Sequence, residues 1–178
     1  MYSFINGRLI KITAKVGTQS CLEAANTSWT CTNKESLGFH ERIMFVRDPI
    51  KRLISCFSFF ANLKKEGVHV RNFNWACVDS WEVFVDYVLA GNINEHWQPQ
   101  AEQELFNNEP TATHYLKFDD VNEWFPIIFN TPFPNINASP SVSVNQEYRR
   151  SEVDSYYQAD HALYDNAMSY NGETVWQH

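Results

Sequence analysis

Residues 43–60 read IMFVRDPIKRLISCFSFF, and the break in the middle of that stretch decides the fold. Ile43, Met44, Phe45 and Val46 form an unbroken apolar run, the pattern of a strand buried on both faces of a mostly parallel sheet. Arg47, Asp48 and Pro49 end it, and an amphipathic run follows. Asp48 suits the N-cap of a helix and Pro49 its first position, so the stretch predicts a strand handing over to a helix from Pro49 to about Leu63. Arg47 then stands at the carboxyl end of a buried strand, where open α/β sheets place ligand groups, and Arg52 and Ser55 lie one helical turn apart. Such a corner suits a phosphate.

Upstream, Arg8 to Thr13 alternates toward a strand, Ala14 to Ser20 supplies small and polar loop residues, and Cys21 to Asn26 starts a helix. With the Ile43 strand these make a βαβ unit of ordinary length, which predicts two parallel strands with a right-handed crossover and both carboxyl ends on one edge. Downstream, Asp79 and Glu82 have the spacing of a capping box for a helix ending at Gly91. The segment NINEHWQPQ reads as a loop, His114 to Phe118 as a third strand, and Asp120 to Phe129 as a helix. Asn130 to Gln146 is a long loop rich in Asn, Pro and Ser, and Glu152 to Met168 is the last helix. The expected fold is a single α/β domain over 1–178, with a central mostly parallel sheet flanked by helices.

Composition bounds the function. The chain has 178 residues, of which 44% are hydrophobic, enough for one domain with a real core. A formal net charge of -7 argues against a general nucleic-acid binder or a binder of anionic membranes, so local basic positions carry more meaning. The amino-terminal residues lack an apolar segment of signal-peptide length and no later run approaches a membrane span, which reads as a soluble, cytoplasmic chain. Cys21, Cys31, Cys56 and Cys77 show no paired spacing of the zinc or redox type, so free buried thiols are expected and no metal site.

The loop Ala14 to Ser20, AKVGTQS, sits between a strand and a helix, where backbone N–H groups and a helix N-terminus can cradle a phosphate. It lacks the Walker pattern, because Lys15 precedes Gly17 and no Gly-Lys-Ser/Thr closes the loop. Taken with FVRDPIKRLIS, this loop resembles the first corner of the sulfotransferases that use 3′-phosphoadenosine-5′-phosphosulfate, whose second strand ends in Arg-Asp-Pro. The resemblance implies a P-loop-like sulfotransferase architecture, with the 5′-phosphosulfate bound by Lys15, Gly17, Thr18, Gln19 and Ser20 and the 3′-phosphate held by Arg47 and Ser55. A guanidinium fork and a hydroxyl are chemically suited to that phosphate. Lys15 takes the family's lysine role, a point charge where negative charge grows on the departing phosphate.

The segment Glu95 to Gln100, EHWQPQ, resembles the His-Trp-x-Pro-Gln segment of carbohydrate sulfotransferases, and Tyr156 to Tyr164, YYQADHALY, resembles their closing helix. For the general base two candidates stand. Glu23 lies eight residues after Lys15, as in the K-x-G-T-x-x-x-x-E pattern of heparan sulfate 3-O-sulfotransferases. His96 has a suitable intrinsic pKa for taking a hydroxyl proton. Glu23 ranks first. Trp97 is the expected contact with the acceptor, by stacking on a sugar face. The implied reaction is metal-free sulfuryl transfer from 3′-phosphoadenosine-5′-phosphosulfate to a hydroxyl or amine, of a carbohydrate or another small acceptor. Two other classes fit the same residues: a P-loop phosphotransferase, which predicts dependence on ATP and magnesium, and a non-catalytic nucleotide-binding module, which predicts binding without turnover.

Overall fold

In the computed structural model of the chain, the structure describes residues 2–5, 8–11, 13, 15, 20, 21, 23, 30, 31, 38–68, 70–107, 109–134 and 142–170. The central sheet has five strands in the order β3-β1-β2-β4-β7: β1 (Tyr2–Ile5), β2 (Arg8–Lys11), β3 (Thr30–Cys31), β4 (Arg42–Val46) and β7 (His114–Lys117). The three at its working end are parallel, with Ile10 opposite Ile43 and Phe45 opposite Leu116. The pairing of β2 with β4 is the one the βαβ reading predicts, and it brings the carboxyl ends of β2, β4 and β7 to one edge.

Two sheet elements were not expected. β1 pairs antiparallel with β2, Ile5 opposite Arg8, and β3 pairs antiparallel with β1. The two residues between β1 and β2 are Asn6 and Gly7, the strongest short-range hairpin signal a sequence offers, so the first pairing had a visible cue. A second small sheet, β5 (Leu105–Phe106) with β6 (Glu109–Pro110), lies in a segment for which no element was predicted.

The β4 run is apolar because both its faces are covered. Ile43 and Phe45 pack with Leu116, Trp124, Phe125 and Phe129, which brings α4 (Val121–Phe129) against one face. Met44 and Val46 pack with Ala112, Ala167, Leu163 and Tyr164 on the other, where α6 (Gln158–Asn166) lies. Beyond the strand, α1 (Pro49–Lys65) forms as predicted: the Asp48 carboxylate accepts the Lys51 backbone N–H at 2.8 Å, Pro49 occupies the first turn, and Lys64 and Lys65 complement the last. Its apolar stripe, Ile50, Leu53, Phe57 and Phe60, packs on α2 (Trp81–Leu89) and on Trp97.

Two helix boundaries differ from the sequence reading. Ser80, not Asp79, caps α2 by accepting the Val83 N–H, because the helix starts one residue later to bury Trp81. α2 does end before Gly91, whose φ of +81° is the left-handed conformation that glycine accepts without strain. The last helix is two, α5 (Arg150–Tyr156) and α6, broken at Tyr157, whose buried hydroxyl is given to the Trp97 carbonyl. The short α3 (Gln100–Glu104) begins at the end of the EHWQPQ segment. Cys21, Cys56 and Cys77 are free and buried. Among the described residues no helix is long and apolar enough to cross a membrane.

Candidate functional site

The carboxyl edge of the parallel strands gathers the predicted cations. Arg47 follows β4 directly, and its Nη1 donates to the Lys15 carbonyl at 3.1 Å, joining the two strand-to-helix corners. The remainder of its fork is differently placed: Nε is buried and, among the described residues, has no hydrogen-bond partner. The guanidinium lies 5.5 Å from the Phe118 ring centroid, at the end of β7. Burial holds Arg47 below its usual value, although a guanidinium remains charged at any physiological pH.

Lys15 has a positive φ of 67°, an uncommon conformation for a residue with a side chain. Its ammonium sits 3.2 Å from the Phe59 ring centroid, a cation–π contact. Among the described residues no carboxylate pairs with Lys15 or with Arg47. Burial, reinforced by the Arg47 charge, takes the lysine pKa down to about 8. Two poorly solvated cations, of which only Arg47 feels nearby carboxylates, Asp119 and Asp48, and neither of which is in an ion pair with a described residue, suit an anion.

His96 joins them through Phe59. Its imidazole stacks on that ring at 6.0 Å and 14°, and meets Phe60 edge-on at 5.0 Å. Burial, followed by the Lys15 charge, pushes its pKa below the ordinary value, so the ring is neutral at pH 7. The tautomer follows from Asn94. Asn94 Oδ1 accepts the His96 backbone N–H at 3.0 Å, and a backbone N–H can only donate, which fixes that atom as the oxygen. The same oxygen lies 2.8 Å from His96 Nδ1, so Nδ1 carries the proton and Nε2 keeps its lone pair. An uncharged imidazole whose Nε2 keeps its lone pair is equipped to take a proton.

The other predicted residues distribute unevenly. Ser55 is half-buried on α1, two turns beyond Arg47. Ser20 is buried and, with Cys21 and Glu23, helical. Gly17, Thr18 and Gln19 lie outside the described residues. Glu23 is exposed, and among the described residues the contacts of Lys15 and Arg47 do not include it. Trp97 requires a correction: it is 2% exposed, ringed by Phe60, Phe84 and Tyr87 at 5.5 to 6.2 Å, and its indole N–H is given to the Asn92 carbonyl at 2.7 Å. A sugar platform needs an open ring face, and Trp97 is a core residue. Outside the predicted set, Arg149 pairs with Asp86 and Glu152, and Arg150 with Asp154.

Sequence reasoning missed Phe59, the ring that brings Lys15 and His96 together, because a phenylalanine on an amphipathic helix reads only as core. It also missed Asp119, which holds Lys51 at 2.8 Å and accepts the Tyr164 hydroxyl at 2.8 Å beside Arg47. Among the described residues no cluster of side chains suits a metal ion.

The parallel strands β2, β4 and β7 thus present at their carboxyl edge a lysine and a guanidinium that no described carboxylate pairs, with an imidazole beside them, groups suited to an oxyanion. The family comparison makes the class specific. The model of the sulfotransferase family matches residues 11–125, from β2 into α4 and across Lys15, Arg47, Ser55 and His96; the chain belongs to the sulfotransferase family, transferases of sulfuryl groups. No curated protein and no solved structure matches it significantly.

Proposed function

We propose that the protein transfers a sulfuryl group from 3′-phosphoadenosine-5′-phosphosulfate to a hydroxyl or amine of a carbohydrate. The observation that carries the donor assignment is the Arg47 fork, one nitrogen fixed on the Lys15 carbonyl and its buried Nε without a partner among the described residues. A buried unpaired donor costs about 1–3 kcal/mol, and a phosphate oxygen placed on that edge removes the cost. The residues therefore fit a donor that carries a second phosphate. Arg47 and Ser55 hold the 3′-phosphate, and the Lys15 to Ser20 corner holds the 5′ end.

The donor supplies the sulfuryl group, which gains a bond to the acceptor oxygen or nitrogen as its bond to the phosphate breaks. The chain does the rest. Lys15 places its charge beside the phosphate that departs, and His96 takes the acceptor proton at Nε2, with Nδ1 held by Asn94. The geometry favours His96 over Glu23 as base, since the ring that seats Lys15 also seats His96. Positioning and fixed charge supply most of the acceleration.

Calorimetric titration with adenosine 3′,5′-bisphosphate tests the donor. Wild type should bind it in the absence of magnesium, and Arg47→Ala should weaken binding by about 100-fold or more, the loss of two hydrogen bonds from a charged group. Folded wild type that ignores the bisphosphate, or binding indifferent to Arg47→Ala, refutes the reading. Turnover lost in Glu23→Gln and kept in His96→Ala would reverse the assignment of the base.

A further inference from the structure

Gln100 is 0% exposed at the first residue of α3, and every polar atom of its side chain is used between the two corners of the site. Its Oε1 accepts the Arg47 backbone N–H at 3.1 Å. Its Nε2 donates to Thr13 Oγ1 at 3.2 Å and to the Phe45 carbonyl at 3.3 Å. A backbone N–H only donates and a carbonyl only accepts, so both ends of the amide are fixed in orientation. Thr13 lies two residues before Lys15, and Arg47 ends β4; one side chain thus ties the two corners that carry the site's cations.

Gln100 is itself held. Its backbone N–H and that of Ala101 each donate to one oxygen of Asp160, both at 2.8 Å. Asp160 is 0% exposed and 3.9 Å from the Arg52 guanidinium, which is 1% exposed and donates to the Gln98 carbonyl at 2.9 Å and to that of Glu95 at 3.4 Å. The Cys56 thiol and the Tyr157 hydroxyl take the His96 and Trp97 carbonyls. The EHWQPQ segment is therefore fastened along its length to α1, α6 and Tyr157. Buried groups held at both ends are the means by which a protein fixes a site to within fractions of an ångström.

We propose that Gln100 is a positioning residue of this site: its amide locks the Thr13 to Lys15 end of β2 to the Arg47 end of β4, and the buried Arg52–Asp160 pair holds Gln100 in place. The consequence for function rests on the proposed donor reading, while the lock itself does not.

The test separates the two. Amide exchange at Arg47, followed by NMR, reads the lock without any ligand. In Gln100→Met, which removes acceptor and donor with little change of volume, the Arg47 amide should exchange at least about tenfold faster. In Gln100→Glu, which keeps an acceptor for that N–H, Arg47 should stay protected, so the conservative variant rescues this readout and covers the case in which Gln100→Met fails to fold. The affinity for adenosine 3′,5′-bisphosphate should fall at least about tenfold in Gln100→Met, which loses the ties to both Thr13 and Arg47. Unchanged Arg47 exchange in Gln100→Met overturns the lock. Faster exchange with undiminished bisphosphate affinity overturns the positioning role. Wild type that does not bind the bisphosphate overturns the donor reading, and the exchange result still decides whether Gln100 locks the corners.

Discussion

Raising the pH from 7 to 9.5 should cost the site its affinity for adenosine 3′,5′-bisphosphate through one side chain, Lys15. Its ammonium is half-buried against Phe59 and beside Arg47, and burial holds its pKa down to about 8. A bound anion favours the charged lysine, so its pKa is higher in the complex than in the free protein. Binding then takes up a proton above pH 8, and affinity falls as pH rises through the free value. At pH 7 about nine lysines in ten are charged; at pH 9.5 about one in thirty is. The dissociation constant should rise about 30-fold over that interval, equivalent to about 2 kcal/mol.

Calorimetric titration in buffers of different ionisation enthalpy measures both quantities, the affinity and the protons taken up, which should approach one per bisphosphate between pH 8 and 9.5. Two variants assign the effect. Lys15→Met should bind more weakly at pH 7 with a flat pH dependence. Lys11→Met should keep the wild-type curve, although Lys11 also has a pKa of about 8, because Lys11 Nζ is occupied at Thr111 Oγ1. A wild-type constant that stays level to pH 9.5, or a pH dependence that survives Lys15→Met, refutes the argument that this lysine faces the anion.

Trp97→Ala should lower stability by about 3–5 kcal/mol in urea denaturation, as for other large buried aromatics; unchanged stability with a raised acceptor KM would show an acceptor contact instead. Lys11, 3% exposed and lowered from 10.5 to about 8 chiefly by burial, binds fewer protons folded than unfolded between those values. Wild-type stability should therefore gain on that of Lys11→Met by up to about 3 kcal/mol as pH rises from 8 to 10.5, and a difference that stays constant or moves the other way would show that Lys11 is not desolvated.

What was legible in the sequence was local. The β4 to α1 handover could be read because strand burial, the Asp48 cap and Pro49 all act within a few residues, and parallel pairing followed from the length of the crossover. The cap of α2 was misread by one residue because Asp79 and Ser80 are both competent acceptors, and the choice is made by the burial of Trp81 in a core assembled from distant elements. The break at Tyr157 had no local signal at all. Helical spacing continues through Tyr156, Ala159 and Leu163, and the joint is set by a hydroxyl reaching a carbonyl sixty residues away in the chain.

The site divides along the same line. Arg47 was singled out because a cation at the end of a buried strand carries chemistry by its place, whereas Lys15 and His96 took their proposed roles largely from the resemblance of their segments to sulfotransferases. The residues that make them a site are of types that carry no such signal: Phe59 reads as core, and Gln100 as the last polar residue of a loop. Their roles lie in contacts that join β2, β4, α1 and the EHWQPQ segment, and only the parallel register brings those ends together. Trp97 was misassigned for the inverse reason. A tryptophan beside a candidate base has the residue type of a sugar platform, but its neighbours in space, Phe60, Phe84 and Tyr87, already occupy the ring. Residue type identifies the groups able to act on an oxyanion, and contacts among their neighbours determine which of those groups meet at one edge of the sheet.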